Sequence, residues 1–153
     1  PIDFDETEAA LKNNVETRRQ ALKHLKDGGA IIIFPAGAIS LAPKIFGAAF
    51  DVQWKTFVAK LALQPDTTTV PFYFEGGNST LYQLARKMSQ TLGYSLMFRE
   101  ICRRMGTGLT VTMRAPVQTA DLTSLPDRIA VTDYLRQQTY RGHAVAPPLQ
   151  HGA

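Results

Sequence analysis

The sequence predicts an α/β domain in which a mixed or parallel sheet, incomplete within this chain, is flanked by helices. Three observations carry that reading. Segments of helical and strand-like periodicity alternate from end to end. The run Ile31-Ile32-Ile33-Phe34 is apolar without polar alternation, the pattern of a strand buried on both faces. Helical segments connect the strand-like ones, as parallel or mixed pairing requires. Three strands make a thin sheet, and Ile31 to Phe34 finds few neighbours beyond the short Ile2-Asp3-Phe4 run, so part of the domain reads as missing. The start at Pro1 rather than Met reflects either removal of an initiator Met or a start inside a longer protein.

Asp5 and Glu8 form a capping-box signature, and Ala9, Leu11, Val15, Leu22 and Leu25 recur at helical spacing, which predicts a helix from about Glu6 to Lys26 ended by Gly28-Gly29. The buried strand Ala30 to Phe34 stops at Pro35 and Gly37. The small residues from Ala36 to Ala49 then read as a packed functional loop. Apolar positions 54, 57, 58, 61 and 62 predict a second helix, Trp54 to Gln64, ended by Pro65. Thr67 to Phe74 is a strand that Pro71 confines to its start or to a locally unpaired position. Asn78 or Ser79 caps a helix whose apolar positions 81, 84, 85, 88 and 92 carry it to Gly93, and Tyr94 to Met105 is a further helix. Gly108 to Arg114 is the third strand, Pro116 to Pro126 a loop and Asp127 to Arg141 the last helix. Residues 1–142 thus form the partial domain and residues 143–153 a flexible tail.

With 153 residues, 44% hydrophobic and 20% charged, the chain has the composition of one globular domain rather than of a disordered or fibrous protein. Its formal charge of +4 is concentrated: the window from Arg86 to Arg104 holds Arg86, Lys87, Arg99, Arg103 and Arg104 against Glu100 alone, and the rest is balanced. A basic excess favours anionic partners, but no helix-turn-helix, RNA-binding or zinc signature accompanies it, and no nucleic-acid partner is expected. The single Cys102 excludes an internal disulfide and reads as a small buried hydrophobe. No apolar run approaches the roughly 20 residues that span a bilayer, and no leader is visible.

Common catalytic constellations are absent. His24 lies on a polar helix face and His143 and His151 in the tail; there is no Gly-x-Ser-x-Gly elbow, no His-Glu-x-x-His and no Gly-x-x-x-x-Gly-Lys phosphate loop. No metal or tightly held cofactor is required by these residues. What stands out is the block from Gly28 to Ser40, where a turn of small residues follows an apolar strand. In α/β proteins ligands bind at such turns because backbone N–H groups are accessible there. The same spacing is also met in turns that only pack against the sheet.

The string Gly29 to Ser40 resembles the third motif of the glycerolipid (lysophospholipid) acyltransferase family, an apolar strand followed by Phe-Pro-Glu-Gly-x-x-Ser. Val70-Pro71-Phe72 is similar to its fourth motif. The likeness is closest to the haemolysin-type branch, which includes lyso-ornithine-lipid acyltransferases: Phe34-Pro35-Ala36-Gly37 with Ser40, the Trp54-Lys55 helix, and Val70-Pro71-x-x-Phe74-Glu75-Gly76-x-Asn78-Ser79. These anchors span about Asp3 to Arg104. The resemblance implies the C-terminal part of an acyltransferase domain, moving an acyl group from acyl-CoA or acyl carrier protein to a lyso-lipid hydroxyl, with Phe34, Pro35, Ala36, Gly37, Ser40, Val70, Pro71 and Asn78 at the substrate. Ala36 stands where glycerol-phosphate-type members carry glutamate, which implies another lyso-lipid acceptor. The family's His-x-x-x-x-Asp motif is missing, since Gly29 and Pro148 stand five residues after His24 and His143. It would lie upstream of Pro1, leaving this chain inactive by itself.

Two basic groups complete the expectations. Arg18 and Arg19 precede the motif by one helix face and either reach an anionic headgroup or pair on the helix surface with Glu16. Arg99, Arg103 and Arg104, among Tyr94, Phe98, Ile101 and Met105, suit either a helix lying on an anionic membrane or a core helix with a solvated basic face. The lipid substrate favours the membrane, and with it a cytoplasmic location, peripheral on the inner face. The competing function is a non-catalytic module that binds lipid or membrane surface without turnover.

Overall fold

The computed structural model describes residues 8–42, 47 and 49–143. The Asp5 end of the first expected helix, the Ile2-Asp3-Phe4 run and tail residues 144–153 lie outside them. The fold is mixed α/β and rich in helix: α1 (Glu8–Lys26), α2 (Phe57–Ala62), β1 (Thr68–Thr69), β2 (Phe72–Phe74), α3 (Thr80–Met88), α4 (Gln90–Arg104), β3 (Val111–Met113), β4 (Val117–Gln118), α5 (Thr119–Leu122) and α6 (Arg128–Tyr140). α1 closes where Gly28 takes a φ of +83° and the Gly29 N–H reaches the His24 carbonyl at 2.9 Å. A Cβ added at Gly29 would meet the exposed His24 imidazole, which would have to turn aside.

Ile31 to Phe34 corrects the first expectation. The segment belongs to no sheet among the described residues, and Ile32 is 89% exposed and Phe34 73% exposed. Ile33 packs against the core. A strand is buried on both faces only when a layer covers each, and the described residues supply one.

The sheet is corrected as well. Every described pairing is antiparallel, β1 with β4 and β2 with β3, in place of a parallel or mixed sheet. The expected strand from Thr67 to Phe74 is split at Pro71, which has no N–H for a ladder but accepts from Arg114 N through its carbonyl at 2.9 Å. The two pairs are one ribbon with a bulge: the chain takes three steps from Arg114 to Val117 while its partner takes two from Pro71 to Thr69. The extra residue falls between Arg114 and Val117, and the expected loop from Pro116 to Pro126 in fact carries β4 and α5. Tyr73 and Thr112 share the ribbon face toward α6, whereas Phe72, Phe74, Val111 and Met113 face outward and stay exposed.

α2 is shorter than expected. Lys55 N donates to Pro35 O at 2.9 Å, which commits the start of the predicted helix to the Phe34–Gly37 turn instead. At its far end the Thr119 hydroxyl lies within 3.0 Å of the carbonyls of Ala62, Gln64 and Thr67. The break between the next two helices falls at Ser89, not Gly93. Ser89 ends α3 and caps α4. Gly93 is instead buried inside α4 because the Arg86 side chain crosses it, and an added Cβ would strike Arg86 Cδ. Expected core positions Leu81, Leu84, Met88 and Leu92 are exposed; Tyr82, Gln83 and Ala85 form the buried line of α3.

The main core joins Trp54, Val58, Ala59 and Ala62 to Val117, Leu122, Val131 and Leu135, with Ala36 at its edge. Each fully buried aliphatic side chain contributes about 1.5–3 kcal/mol. α6 begins at Asp127, whose carboxylate accepts from Ala130 N at 2.8 Å. Past its end His143, expected in the tail, stacks on Tyr73 with ring centroids 3.9 Å apart. Cys102, expected to be buried, is exposed.

Candidate functional site

The turn at the end of the Ile31–Phe34 segment is built by proline and glycine. Gly37 N donates to Phe34 O at 3.2 Å, Pro35 supplies the fixed φ of a turn position, and Gly37 has a φ of +62°. A Cβ added at Gly37 meets nothing within 4 Å, so the backbone faces open space there. Ala36 points the other way. It is 6% exposed and packs with the Trp54 cluster, so its side chain is core rather than a surface offered to a ligand.

One carboxylate organises the chain behind the turn. Asp51 accepts the Ser40 hydroxyl through Oδ1 and Trp54 Nε1 through Oδ2, the latter at 2.9 Å. Its backbone is held by α6: Arg136 Nη2 donates to Asp51 O at 3.2 Å, and Asp51 N lies 3.4 Å from Tyr140 Oη. Burial, followed by the nearby Asp51 carboxylate, pushes the Tyr140 phenol up to about 12. Tyr140 therefore stays protonated at neutral pH and is no base. Sequence reasoning missed Asp51, Arg136 and Tyr140. The three-residue spacing of Asp51 and Trp54 was visible, but the contacts with α6 cross 85 and 89 positions of chain.

The two motif segments of the sequence meet here. The Phe34 and Phe74 rings lie 6.4 Å apart, and Phe74 carries on through Glu75 to Asn78 and Ser79. Val70 and Asn78 are half-buried and Pro71 is buried. Ser79 is the α3 cap, accepting Tyr82 N at 3.2 Å. It is itself held by Glu100 of α4, which accepts Ser79 N at 2.8 Å and the Ser79 hydroxyl at 2.5 Å. Burial alone would raise the Glu100 carboxyl, but the Ser79 hydrogen bonds and Arg103 together hold it below the usual range.

The predicted basic residues separate. Arg19 is engaged on the α1 surface with Glu16 at 2.7 Å, and its hydrogen bond, then that of Gln20, lowers the Glu16 carboxyl to about 2. Arg18 lies over the Phe57 ring at 5.5 Å, at the start of α2. Arg104 donates to Gly77 O at 3.0 Å, while Arg99 and Arg103 stand 3.6 and 3.3 Å from Glu100. Among the described residues no group of three His, Cys, Asp or Glu side chains could hold a metal ion, and no helix is long and apolar enough to cross a membrane. No family model, curated protein or solved structure matches the chain.

Proposed function

We propose that this chain forms the acceptor-binding half of a lyso-lipid acyltransferase, which moves an acyl group from acyl-CoA or acyl carrier protein to a lyso-lipid hydroxyl. The observation that carries the reading is the meeting of the Phe34–Gly37 turn with the Pro71–Phe74 strand through the Phe34 and Phe74 rings, 6.4 Å apart. It gives one place both an open glycine backbone and exposed apolar side chains (Ile32, Phe34, Phe72 and Phe74), surfaces suited to a polar headgroup and an acyl chain respectively. In the reaction the acceptor oxygen attacks the thioester carbonyl, the tetrahedral oxyanion collapses with cleavage of the C–S bond, and the thiol leaves with the proton taken from the hydroxyl. Donors near the turn would serve the acceptor or the oxyanion, the Gly37 N–H itself being bonded to Phe34 O. The proton requires a base, and no histidine of this chain has an aspartate five residues on. The base comes from a His-x-x-x-x-Asp segment of a parent polypeptide.

Trp54, the only tryptophan, reports directly on this site, because Asp51 holds its indole and its neighbour Lys55 is bonded to the turn. Titration with a short-chain lyso-lipid below its critical micelle concentration gives a saturable change in Trp54 fluorescence if the reading is right. A flat titration with glycerol-based and amino-acid-based lyso-lipids alike would overturn it. A second reading, a module that binds lipid surface without turnover, is favoured by the exposed face of α4.

A further inference from the structure

α4 is packed on one side only. Gly93 and Glu100 are buried against α3, where the Arg86 side chain crosses the glycine and Ser79 donates to the carboxylate. The opposite side carries Tyr94, Phe98 and Ile101, continued by Met105 at the helix end, with exposures of 54%, 76%, 54% and 73%. Their spacing of four, three and four residues is the narrow a/d repeat by which one helix packs on another. Thr91, Ser95, Met97 and Cys102 border the stripe, and none of them is charged. The arginines lie off it. Helical geometry turns Arg99 and Arg103 away from the stripe, where they stand 3.6 and 3.3 Å from Glu100, and Arg104 donates to Gly77 O at 3.0 Å. Tyr94 is already fixed in place, since Arg86 lies 5.3 Å from its ring centroid and Gln90 Nε2 donates to its hydroxyl at 2.9 Å.

We infer that this stripe is the contact surface of a homodimer, in which α4 packs antiparallel on α4 of a second copy about a two-fold axis between Phe98 and Ile101. The spacing selects the occupant because it reads the same in both directions. Laid antiparallel on itself, the stripe pairs Phe98 with Ile101 of the second copy and Tyr94 with Met105 of the second copy. Each layer then sets an aromatic side chain against an aliphatic one, and the two-fold axis repeats every contact. Parallel packing would instead set Phe98 on Phe98. The uncharged border lets two copies close without burying an unpaired charge or bringing like charges together. The area suffices as well. At the exposures above, the four side chains offer roughly 500 Å² of largely apolar surface, so two copies bury on the order of 1,000 Å², the size a specific interface must reach. The inference rests on α4 and not on the acyl-transfer reading, and it is tested without lipid or acyl donor.

The test is sedimentation equilibrium of the chain from about 1 to about 100 μM. Expected is a reversible dimer of twice the 16.9 kDa chain mass. Phe98→Gln with Ile101→Gln, at two exposed positions, should raise the dissociation constant about a hundredfold or more with unchanged far-ultraviolet dichroism. Register is read separately, in a Cys102→Ser background, by a short bismaleimide. It should join chains carrying Tyr94→Cys to chains carrying Met105→Cys in a mixture of the two, and should leave Tyr94→Cys chains on their own unjoined. A chain that stays monomeric over this range, a dimer that the Phe98 and Ile101 substitutions leave intact, or joining of Tyr94→Cys chains to one another would each overturn the inference. So would a monomer captured by anionic vesicles, which would return the stripe to the lipid-surface reading. If lyso-lipid binding at Trp54 fails while the dimer holds, the acyl-transfer reading fails alone.

Discussion

Asp51 is the residue whose removal should reach furthest through the site. Asp51→Ala deletes two hydrogen bonds to a carboxylate, from Ser40 Oγ and from Trp54 Nε1, and Trp54 is 8% exposed. Hydrogen bonds to a charged group contribute about 1.5–3 kcal/mol each, and an indole N–H left in the core without a partner adds its own desolvation. Asp51 itself is half-buried, so water partly replaces what is lost and the lower end of the range applies. The expected destabilisation is about 2–4 kcal/mol, a fall in Tm of roughly 6–12 °C for a domain of this size. Asp51→Asn keeps one acceptor for Trp54 and should lose about half as much. Ser40→Ala combined with Asp51→Ala isolates the Ser40 contact, with an expected coupling of about 1–2 kcal/mol. Urea unfolding followed by dichroism at 222 nm measures the parent and the four variants, Ser40→Ala alone included. An Asp51→Ala protein within about 0.5 kcal/mol of the parent, or strict additivity with Ser40→Ala, would refute the role of this carboxylate as organiser of the loop.

Two further predictions follow from burial. Ala36→Glu should destabilise the chain by about 3 kcal/mol or more, because it forces a carboxylate into the Trp54 cluster; unchanged urea unfolding would show that the Ala36 side chain has a route to solvent. Glu100→Gln keeps the shape but loses the charge that holds Ser79, with an expected loss of about 1–3 kcal/mol at pH 7. Because the folded-state value of Glu100 is depressed, its contribution is fully present above the ordinary glutamate value of about 4.3 and is lost as pH falls through the folded value. Wild type and Glu100→Gln should therefore converge in stability as pH falls below about 4; a gap that persists undiminished would contradict this assignment.

How much of this was legible in the sequence depends on whether the signal was local. α6 was readable because Asp127 caps it and its core line, Val131 and Leu135, is complete. α1 ended where Gly28 said it would. Ser79 was one of two named caps, and the cap geometry selects it over Asn78. The misreadings came from partners distant in sequence. Gly93 resembles a helix breaker, but Arg86 on the neighbouring helix needs the space that its missing side chain leaves. Ile31 to Phe34 has the composition of a doubly buried strand, yet composition cannot supply the layers that would bury it. Trp54 looked helical until the Pro35 carbonyl claimed the Lys55 N–H. At the site the turn could be read from Pro35 and Gly37, whereas the Asp51 network could not, since its backbone supports arrive from α6. The face of α4 was ambiguous in sequence between core and interface, and the exposure of Phe98 and Met105 separates its inward line from its outward one.

Acyl transfer by the natural polypeptide that carries this sequence tests the central claim most directly. Labelled palmitoyl-CoA and palmitoyl-acyl carrier protein are each supplied with a panel of lyso-lipids, and ester formation is followed together with thiol release. The account predicts labelled diacyl lipid with one thiol released per ester formed. Absence of both ester and thiol with either donor across the panel would contradict it and leave lipid-surface binding as the function of this domain.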